Sequence, residues 1–368
     1  MFRAVITPVS IAISLLVPPL AGIGLADQDI SPHLDFPPLT PAADHTAFSW
    51  CVWLVMFVFV LVFLAPIFTT MIRPRVQPTL LQQARHRFPG WGYAGLILIA
   101  VFWTLAWNRF DWFSTFQVYT FTPIWIGYIV TINALTHART GHCLLTRQPF
   151  FMLGLFLLSA VFWWYYEYLN GFIHNWYYVG IESLTTNEYV FHSTIAYATV
   201  LPAVASTITF LISLPRLNQP FRARWKIPVL PAYPLSLLCW GMGIITLSLA
   251  AYWPEMLFPF VWIAPLFIVA GARVMLGKGT VFASLTHGDW RPVIVPALAA
   301  LMCGFFWELW NSQSYAHWEY NIPFVDAFLL FEMPAIGYAG YLPFGLVCLA
   351  IMELLPGSEK FLDQQFHP

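Results

Sequence analysis

Ten apolar runs, each about as long as a bilayer is thick, constrain this chain more than any other feature of its sequence. A spanning helix needs about 20 mostly apolar residues. Only 9% of the 368 residues are charged, against about 25% in soluble domains. We therefore predict an all-α, polytopic membrane protein with about ten transmembrane helices. The runs cover residues 5–25, 48–71, 91–108, 115–135, 150–168, 191–214, 232–252, 256–275, 293–311 and 328–355.

The first run has two interpretations. Arg3, an apolar stretch and the small residues around Gly24 and Ala26 are typical of a signal peptide with its cleavage site. The same run is long enough to be a retained first helix. We prefer cleavage within residues 1–26 but keep both interpretations, since both place residue 27 outside.

The positive charges predict the orientation of the chain. Lys and Arg gather in cytoplasmic loops, and fifteen of the sixteen fall on one side if the N-terminus is inside; only Arg109 falls outside. We therefore expect a multi-pass protein of a cell membrane, most simply a bacterial inner membrane, with basic cytoplasmic loops. The fifteen are Arg3, Arg73, Arg75, Arg85, Arg87, Arg139, Arg147, Arg216, Arg222, Arg224, Lys226, Arg273, Lys278, Arg291 and Lys360.

The acidic residues gather on the opposite side. An acidic exoplasmic face attracts cations or a basic protein partner and repels anions. Alternatively, these loops have simply lost their Lys and Arg residues. The acids predicted to be outside are Asp27, Asp29, Asp35, Asp44, Asp111, Glu167, Glu182, Glu188, Glu255, Glu308, Glu319, Asp326 and Glu332.

A repeated pattern divides the chain into two similar halves. Glu167-x-x-Asn170 recurs in the second half as Glu308-x-x-Asn311. Further pairs of identical residues are separated by the same offset or by one residue more. A near-constant offset over such a long stretch of chain predicts an internal duplication. The further pairs are Trp176/Trp318, Tyr178/Tyr320, Tyr197/Tyr338, Leu201-Pro202/Leu342-Pro343, Pro89/Pro231 and Pro123/Pro265.

Each predicted repeat contains four helices. Because four is even, both copies enter the membrane from the same side, which makes the duplication parallel, about an axis along the membrane normal. The predicted organisation is a signal peptide or first helix (1–26), an exoplasmic segment (27–47), a helix with a basic cytoplasmic loop (48–88), the first four-helix repeat (89–230), the second repeat (231–356) and a polar cytoplasmic tail (357–368).

Carboxylates and amides among aromatic rings form the candidate binding site. Residues at i and i+3 share a helix face, so each Glu and its Asn should point together, with the following Trp and Tyr closing over them. Rings can hold a cation or stack on an amphiphile, whereas Arg109 alone could meet an anion. Interfacial aromatic belts and helix caps are the structural alternative. The candidates are Glu167, Asn170, Trp176, Tyr178, Glu308, Asn311, Trp318, Tyr320, Glu332 and His192.

The last apolar run, residues 328–355, contains two prolines, and proline can interrupt a helix. Glu332 precedes Pro334, and Pro343 and three glycines follow. Proline removes a backbone donor and kinks a helix, and interrupted helices line binding cavities in transporters. An ordinary kink with glycines for close packing is the alternative. His192, near the corresponding place in the first half, is a candidate proton shuttle or an interfacial side chain.

Three functions fit these features. The first is binding or transport of a neutral or cationic amphiphile, lipid-like or glycosylated, in an exoplasmic aromatic and carboxylate cavity. The second is a membrane-embedded enzyme that acts on a lipid or isoprenoid, with Glu as general acid. The third is a membrane anchor for an exoplasmic or quinone-linked partner. The five scattered cysteines indicate no metal site; no cofactor can be named, and no nucleic-acid partner is expected.

Overall fold

The computed structural model describes residues 8–72, 86–227 and 232–366. Most of these residues are helical. Arg3, Arg73, Arg75, Arg85 and Pro231, used above for orientation and repeat, lie outside these ranges. The helices are α1 (Pro8–Leu25), α2 (Trp50–Ile72), α3 (Gly90–Trp107), α4 (Phe121–Thr140), α5 (Leu144–Arg147), α6 (Pro149–Ile173), α7 (Thr186–Tyr197), α8 (Val200–Ile212), α9 (Pro215–Asn218), α10 (Ala232–Tyr252), α11 (Pro254–Leu257), α12 (Ala264–Met275), α13 (Arg291–Asn311), α14 (Tyr341–Met352) and α15 (Ser358–Phe366).

Within the described ranges, eight helices are long and apolar enough to cross a membrane, or up to ten if two bent pairs each count as one span. The prediction of a mostly helical chain with eight to ten helices able to cross a membrane is confirmed. The pair Asp111–Tyr119 and α4 bends by 67°, and the pair Pro254–Trp262 and α12 bends by 48°. Pro123 and Pro265 lie in the first turns of α4 and α12, where a missing backbone N–H costs no hydrogen bond.

The segment 328–355 is not the one continuous helix that its hydropathy predicts. It begins with a hairpin of two short strands, β3 (Leu329–Leu330) and β4 (Met333–Pro334), followed by a 3-10 turn over Ala335–Gly340 and only then by α14. Pro343 lies in the first turn of α14, where it breaks no helical hydrogen bond. The prolines therefore set where this helix begins rather than kink it.

The first helix packs within the bundle. Gly22 of α1 lies against the backbone carbonyl of Ser248 on α10, too close for a Cβ atom. The hydroxyl of Tyr168 on α6 donates to the Leu16 carbonyl at 2.5 Å. Cleavage within residues 1–26 and a retained first helix both stay predictions.

A large aromatic cluster fills the core. Trp125 on α4 lies 5.0 Å from Trp307 and 5.2 Å from Trp310, both on α13, measured between ring centroids. Tyr166 on α6 stacks on Trp262 at 4.9 Å. Each large ring buries more apolar surface than an aliphatic side chain, so this cluster is a main source of packing between the two halves.

Two short strands that the helical prediction did not include join the halves. Strand β1 (Trp176–Val179) follows α6, and β2 (His317–Tyr320) follows α13. They pair antiparallel, with Tyr177 opposite Glu319. The Tyr177 hydroxyl also donates to Glu319 Oε2 at 2.5 Å. Aromatic side chains favour such extended pairs. We call the end of the bundle that carries β1 and β2 the strand end.

Residues 27–49, here called the strap, cross the strand end. His33 stacks on Phe172 of α6 with ring centroids 4.3 Å apart. His45 Nε2 lies 2.9 Å from the His174 carbonyl. The Ser49 N–H donates to the Phe324 carbonyl at 2.9 Å. The strap therefore touches both halves of the chain.

Buried charges close the opposite end. Arg273 on α12 pairs with Glu353 at 3.1 Å, and both side chains are buried. The C-terminal residues, predicted to be a polar tail, form α15, whose Phe361 stacks on Phe151 of α6 at 5.3 Å. The apolar residues of this amphipathic helix, spaced one turn apart, explain why it packs back on the bundle.

Candidate functional site

Glu167 is the centre of the first cluster. It lies near the end of α6 with 1% of its surface exposed. Its Oε1 accepts hydrogen bonds from Trp163 Nε1 at 2.9 Å, Trp176 Nε1 at 3.3 Å and the Tyr178 hydroxyl at 2.6 Å. The Tyr197 hydroxyl donates in turn to that of Tyr178 at 3.1 Å. Three aromatic donors thus satisfy one buried oxygen.

Asn170 builds the loop that delivers two of these donors. Its Nδ2 donates to the Trp176 carbonyl at 2.7 Å, and its Oδ1 accepts from the backbone N–H of Asn175 at 2.9 Å. His174, in the left-handed region with φ 49°, ends the helix between them. The Asn170 side chain therefore stabilises the reversal of the chain after α6.

Glu308 is the centre of the second cluster, and its side chain is fully buried. Its Oε1 accepts from the Tyr320 hydroxyl at 2.8 Å and the Tyr341 hydroxyl at 2.5 Å. Its Oε2 has no hydrogen-bond partner among the described residues. Trp318 Nε1 donates to the Tyr320 hydroxyl at 2.9 Å, whereas its counterpart Trp176 donates to the carboxylate itself.

Asn311 repeats the role of Asn170. Its Nδ2 donates to the Trp318 carbonyl at 2.6 Å, and its Oδ1 accepts from the Trp318 N–H at 2.8 Å. The structure thus brings Glu167, Asn170, Trp176 and Tyr178 into one cluster, and brings Glu308, Asn311, Trp318 and Tyr320 into another. Both clusters lie at the strand end.

Two members of these clusters, Trp163 and Tyr341, were not among the residues predicted from the sequence. Trp163 lies one helical turn before Glu167 and hence on the same helix face, a spacing that could have identified it. The equivalent position before Glu308 is Gly304, where a Cβ atom would clash with the ring of Tyr341. Tyr341 therefore occupies, in the second half, the space beside the carboxylate that Trp163 fills in the first.

Glu332 and His192 lie outside these hydrogen-bond networks. Glu332 is half-buried in the turn between β3 and β4, close enough for its charge to act on Glu308. His192 on α7 stacks on Tyr119 with centroids 3.9 Å apart and also contacts the Phe191 ring.

The phenols of the strand pair remain protonated donors over the ordinary pH range. The hydrogen bond to Glu319 raises the pKa of Tyr177 to about 12. Burial, and then the nearby charge of Glu167, raises the pKa of Tyr178 far above its usual value of 10. Burial and Glu308 act in the same direction on the pKa of Tyr320. The two carboxylates are therefore held by neutral O–H groups.

Two adjoining cavities lie beside α7 and share Thr194, and neither is lined by Glu167 or Glu308. One has a volume of about 420 Å³ and the other about 220 Å³. The first is lined by Phe36, Pro37, Thr186, Asn187, Val190, Phe191 and Thr194. The second is lined by Thr122, Ile126, Phe156, Leu157, Ala160, Thr194, Ile195, Ala198 and Thr199.

Metal ligands do not converge in the described ranges, where no three His, Cys, Asp or Glu side chains are grouped so that they could hold an ion. Comparison of the chain with protein-family models, curated proteins and solved structures gives no match. The chemistry of the two glutamate clusters and the two cavities is therefore the basis for assigning a function.

Proposed function

We propose that this membrane protein binds a neutral, lipid-like amphiphile in the groove formed by the two cavities beside α7. One observation carries this proposal: none of the residues that line the groove is charged. Apolar sites of a few hundred Å³ with a few placed polar groups are typical of small-molecule binding. A lipid, an isoprenoid or a quinone has the required chemistry.

The lining suggests how such a molecule would lie. Phe156, Leu157 and Ile126 line one cavity and suit an apolar tail. Thr186 and Asn187 line the other, beneath Phe36 of the strap, and supply a hydroxyl and an amide for an uncharged headgroup. The polar headgroup would therefore lie at the strand end.

In this proposal the Glu167 cluster braces the groove. Trp164 Nε1 donates to the Thr194 hydroxyl at 3.0 Å, so the residue shared by both cavities is anchored to α6. Tyr197, on the same helix, is linked through Tyr178 to Glu167. This differs from the hypothesis drawn from the sequence, in which the glutamates contact the ligand directly.

We also propose that the two halves, residues 89–230 and 231–356, are a parallel duplication. The register of the strand pair supports this, because Trp176 lies opposite Tyr320 and Tyr178 lies opposite Trp318. Exchanging each of these residues for its counterpart in the other half leaves the register unchanged. A two-fold axis that passes between Tyr177 and Glu319, along the membrane normal, would exchange the two strands in this way.

Catalysis as a membrane-embedded enzyme is the second candidate function. Glu308 Oε2, which has no partner among the described residues, favours it. A buried carboxylate with a free oxygen can exchange a proton with a substrate. The anchor-subunit hypothesis has no comparable observation in its favour.

Two neighbouring residues on α6 provide a direct test of the groove. Ala160 lines it, whereas Val161 is 68% exposed on the outside of the bundle. We expect Ala160→Trp to fill the groove and remove a co-purifying neutral amphiphile, detected by native mass spectrometry with lipid extraction. Val161→Trp, the matched control, should retain it. The same lipid profile in both variants would refute the groove as the binding site.

A further inference from the structure

The two glutamate clusters are unequal. Glu167 accepts three hydrogen bonds from aromatic donors, all on Oε1, whereas Glu308 accepts two, both also on Oε1. Glu308 Oε2 is buried and has no partner in the described part of the chain. A buried acceptor without a donor is costly to maintain, so a ligand that donates a hydrogen bond to Glu308 Oε2 would remove that cost.

The missing donors follow from two differences between the halves. Gly304 stands where Trp163 supplies an indole N–H in the first half, and the ring of Tyr341 fills the space. Trp318 donates to the Tyr320 hydroxyl instead of to the carboxylate. The second cluster therefore keeps the carboxylate and the rings but has one aromatic donor fewer, and Glu308 Oε2 has no partner among the described residues.

The surroundings of Glu308 favour a cation as the donor. Three acids interact electrostatically with Tyr177, namely Glu319, Asp326 and Glu332. Glu332 also interacts electrostatically with Glu308, so these acids lie near one another. Two basic groups at the same end already have partners: Arg109 donates to the Gln313 carbonyl at 3.0 Å, and His317 lies 3.3 Å from Glu319.

Aromatic faces around Glu308 suit the same ligand. The ring centroids of Trp307 and Tyr341 lie 5.9 Å apart. The Tyr320 hydroxyl, which donates to Glu308 Oε1, belongs to the same group of aromatic residues. Ring faces attract ammonium groups. This combination of a carboxylate oxygen, neighbouring acids and ring faces suits a primary ammonium group. An ammonium can donate a hydrogen bond to Oε2, as a neutral hydroxyl can. Unlike the hydroxyl, it also carries a positive charge that complements the acids.

The segment that leads to Tyr341, which bonds Glu308, has an unusual backbone. Phe324, Phe328 and Phe331 have φ values of 64°, 55° and 57°, in the left-handed region that bulky side chains rarely adopt. Phe331 packs on Phe305 with centroids 5.8 Å apart, one turn before Glu308. Such strain gathers at ligand clamps and switch regions, and its relief would favour movement of residues 324–340 when a ligand enters.

We propose that Glu308 forms a second binding site, separate from the groove beside α7, for the primary ammonium group of a cationic amphiphile. Glu308 Oε2 accepts a hydrogen bond from the ammonium, the rings of Trp307 and Tyr341 contact its carbon atoms, and residues 324–340 cover it. Glu167, whose Oε1 accepts three hydrogen bonds from the protein's own aromatic donors, is the structural counterpart.

Isothermal titration of the full-length protein in a neutral detergent tests this site with octylammonium, octanol and octyltrimethylammonium as probes. Octylammonium should bind Ala160→Trp, in which the groove beside α7 is filled, about tenfold more tightly than octanol, the size expected of one charge-assisted hydrogen bond. Octyltrimethylammonium, which has no N–H, should bind more weakly than octylammonium. Equal binding of octylammonium and octanol by Ala160→Trp would overturn the proposal, and so would equal binding of the two cations.

The variants separate this site from the rest of the molecule. Glu308→Gln should abolish the preference for octylammonium over octanol, whereas Glu167→Gln and Ala160→Trp should retain it. A preference that survives Glu308→Gln refutes the site. Should Glu308→Gln fail to elute as a monodisperse species, Glu332→Gln, at a half-buried position, provides the second measurement: it should weaken octylammonium binding several-fold, and unchanged affinity would count against the proposal.

Discussion

At the scale of single residues, the paired Glu and Asn have separate tasks that sequence spacing alone does not distinguish. The i, i+3 spacing predicts that both side chains share a face. In the structure, Asn170 and Asn311 bond the backbone of their own loops, while the carboxylates gather aromatic donors. Tyr341 could not be assigned to Glu308 from its spacing, because that contact depends on how α14 packs on Gly304.

The Tyr178 hydroxyl should contribute measurably to stability. Tyr178→Phe removes the shortest hydrogen bond to Glu167 and leaves the carboxylate with fewer donors in a buried place. We expect a loss of about 1–3 kcal/mol of unfolding free energy, measured as a lower midpoint of thermal unfolding in detergent.

The neighbouring tyrosine is the control for that substitution. Tyr177 bonds Glu319, which is partly exposed, and exposed hydrogen bonds contribute little. Tyr177→Phe should therefore lower the unfolding midpoint less than Tyr178→Phe. The reverse order would mean that the buried network around Glu167 is not the stabilising one.

At the scale of elements, hydropathy predicts the spans well and their ends poorly. Apolar length is a property of each segment alone, so the runs at 91–108 and 293–311 correspond closely to α3 and α13. The bends before α4 and α12, and strands β1 and β2, depend on partners far away in the chain. Local sequence could not specify them.

The strap should loosen in mild acid. Burial lowers the pKa of His33 below its usual value of 6.5, with smaller opposing effects from the Gly171 backbone and Asp29. A histidine with a lowered pKa takes up a proton more readily once it is exposed, so the detached strap gains stability as the pH falls below about 6.5. Hydrogen exchange within residues 27–49, corrected for the intrinsic rate, should be faster at pH 5 than at pH 7.5.

His33→Phe is the variant that isolates this effect. It keeps the stacking on Phe172 and removes the titrating group, so strap exchange should lose its pH dependence. An acid response that persists in His33→Phe would assign the effect to another residue.

At the scale of the whole molecule, the halves meet in the aromatic core and along the β1–β2 pair. The repeated Glu, Asn, Trp and Tyr spacing suggests two related halves, but not that their loops pair as strands. That pairing brings together one segment from each half, and no local pattern specifies a contact between segments so far apart in the chain.

Cysteine cross-linking can test the docking of the halves. Opposed residues of an antiparallel pair lie about 4.5–5.5 Å apart at Cα, within the range for a disulfide. With the chain expressed as two pieces, 1–229 and 230–368, Tyr177→Cys and Glu319→Cys should form a reducible cross-link, visible as a larger species on a denaturing gel.

The register is tested by an offset pair. Tyr177→Cys with Asn321→Cys places the two cysteines two positions out of register, about 7–8 Å apart, and should cross-link poorly. Single-cysteine versions control for the native cysteines. Equal cross-linking of both pairs would contradict the proposed docking.

The strap has a consequence for how the chain is made. Residues 27–49 leave the ribosome before either half exists, yet their contacts extend to Phe172, His174, Glu255 and Phe324. The ribosome therefore has to synthesise most of the chain after the strap before Phe324, the strap's last contact, is made. Throughout that interval the strand end stays uncovered, so its closure is a late event of biogenesis, and a nascent chain stalled before Phe324 would still present an open end.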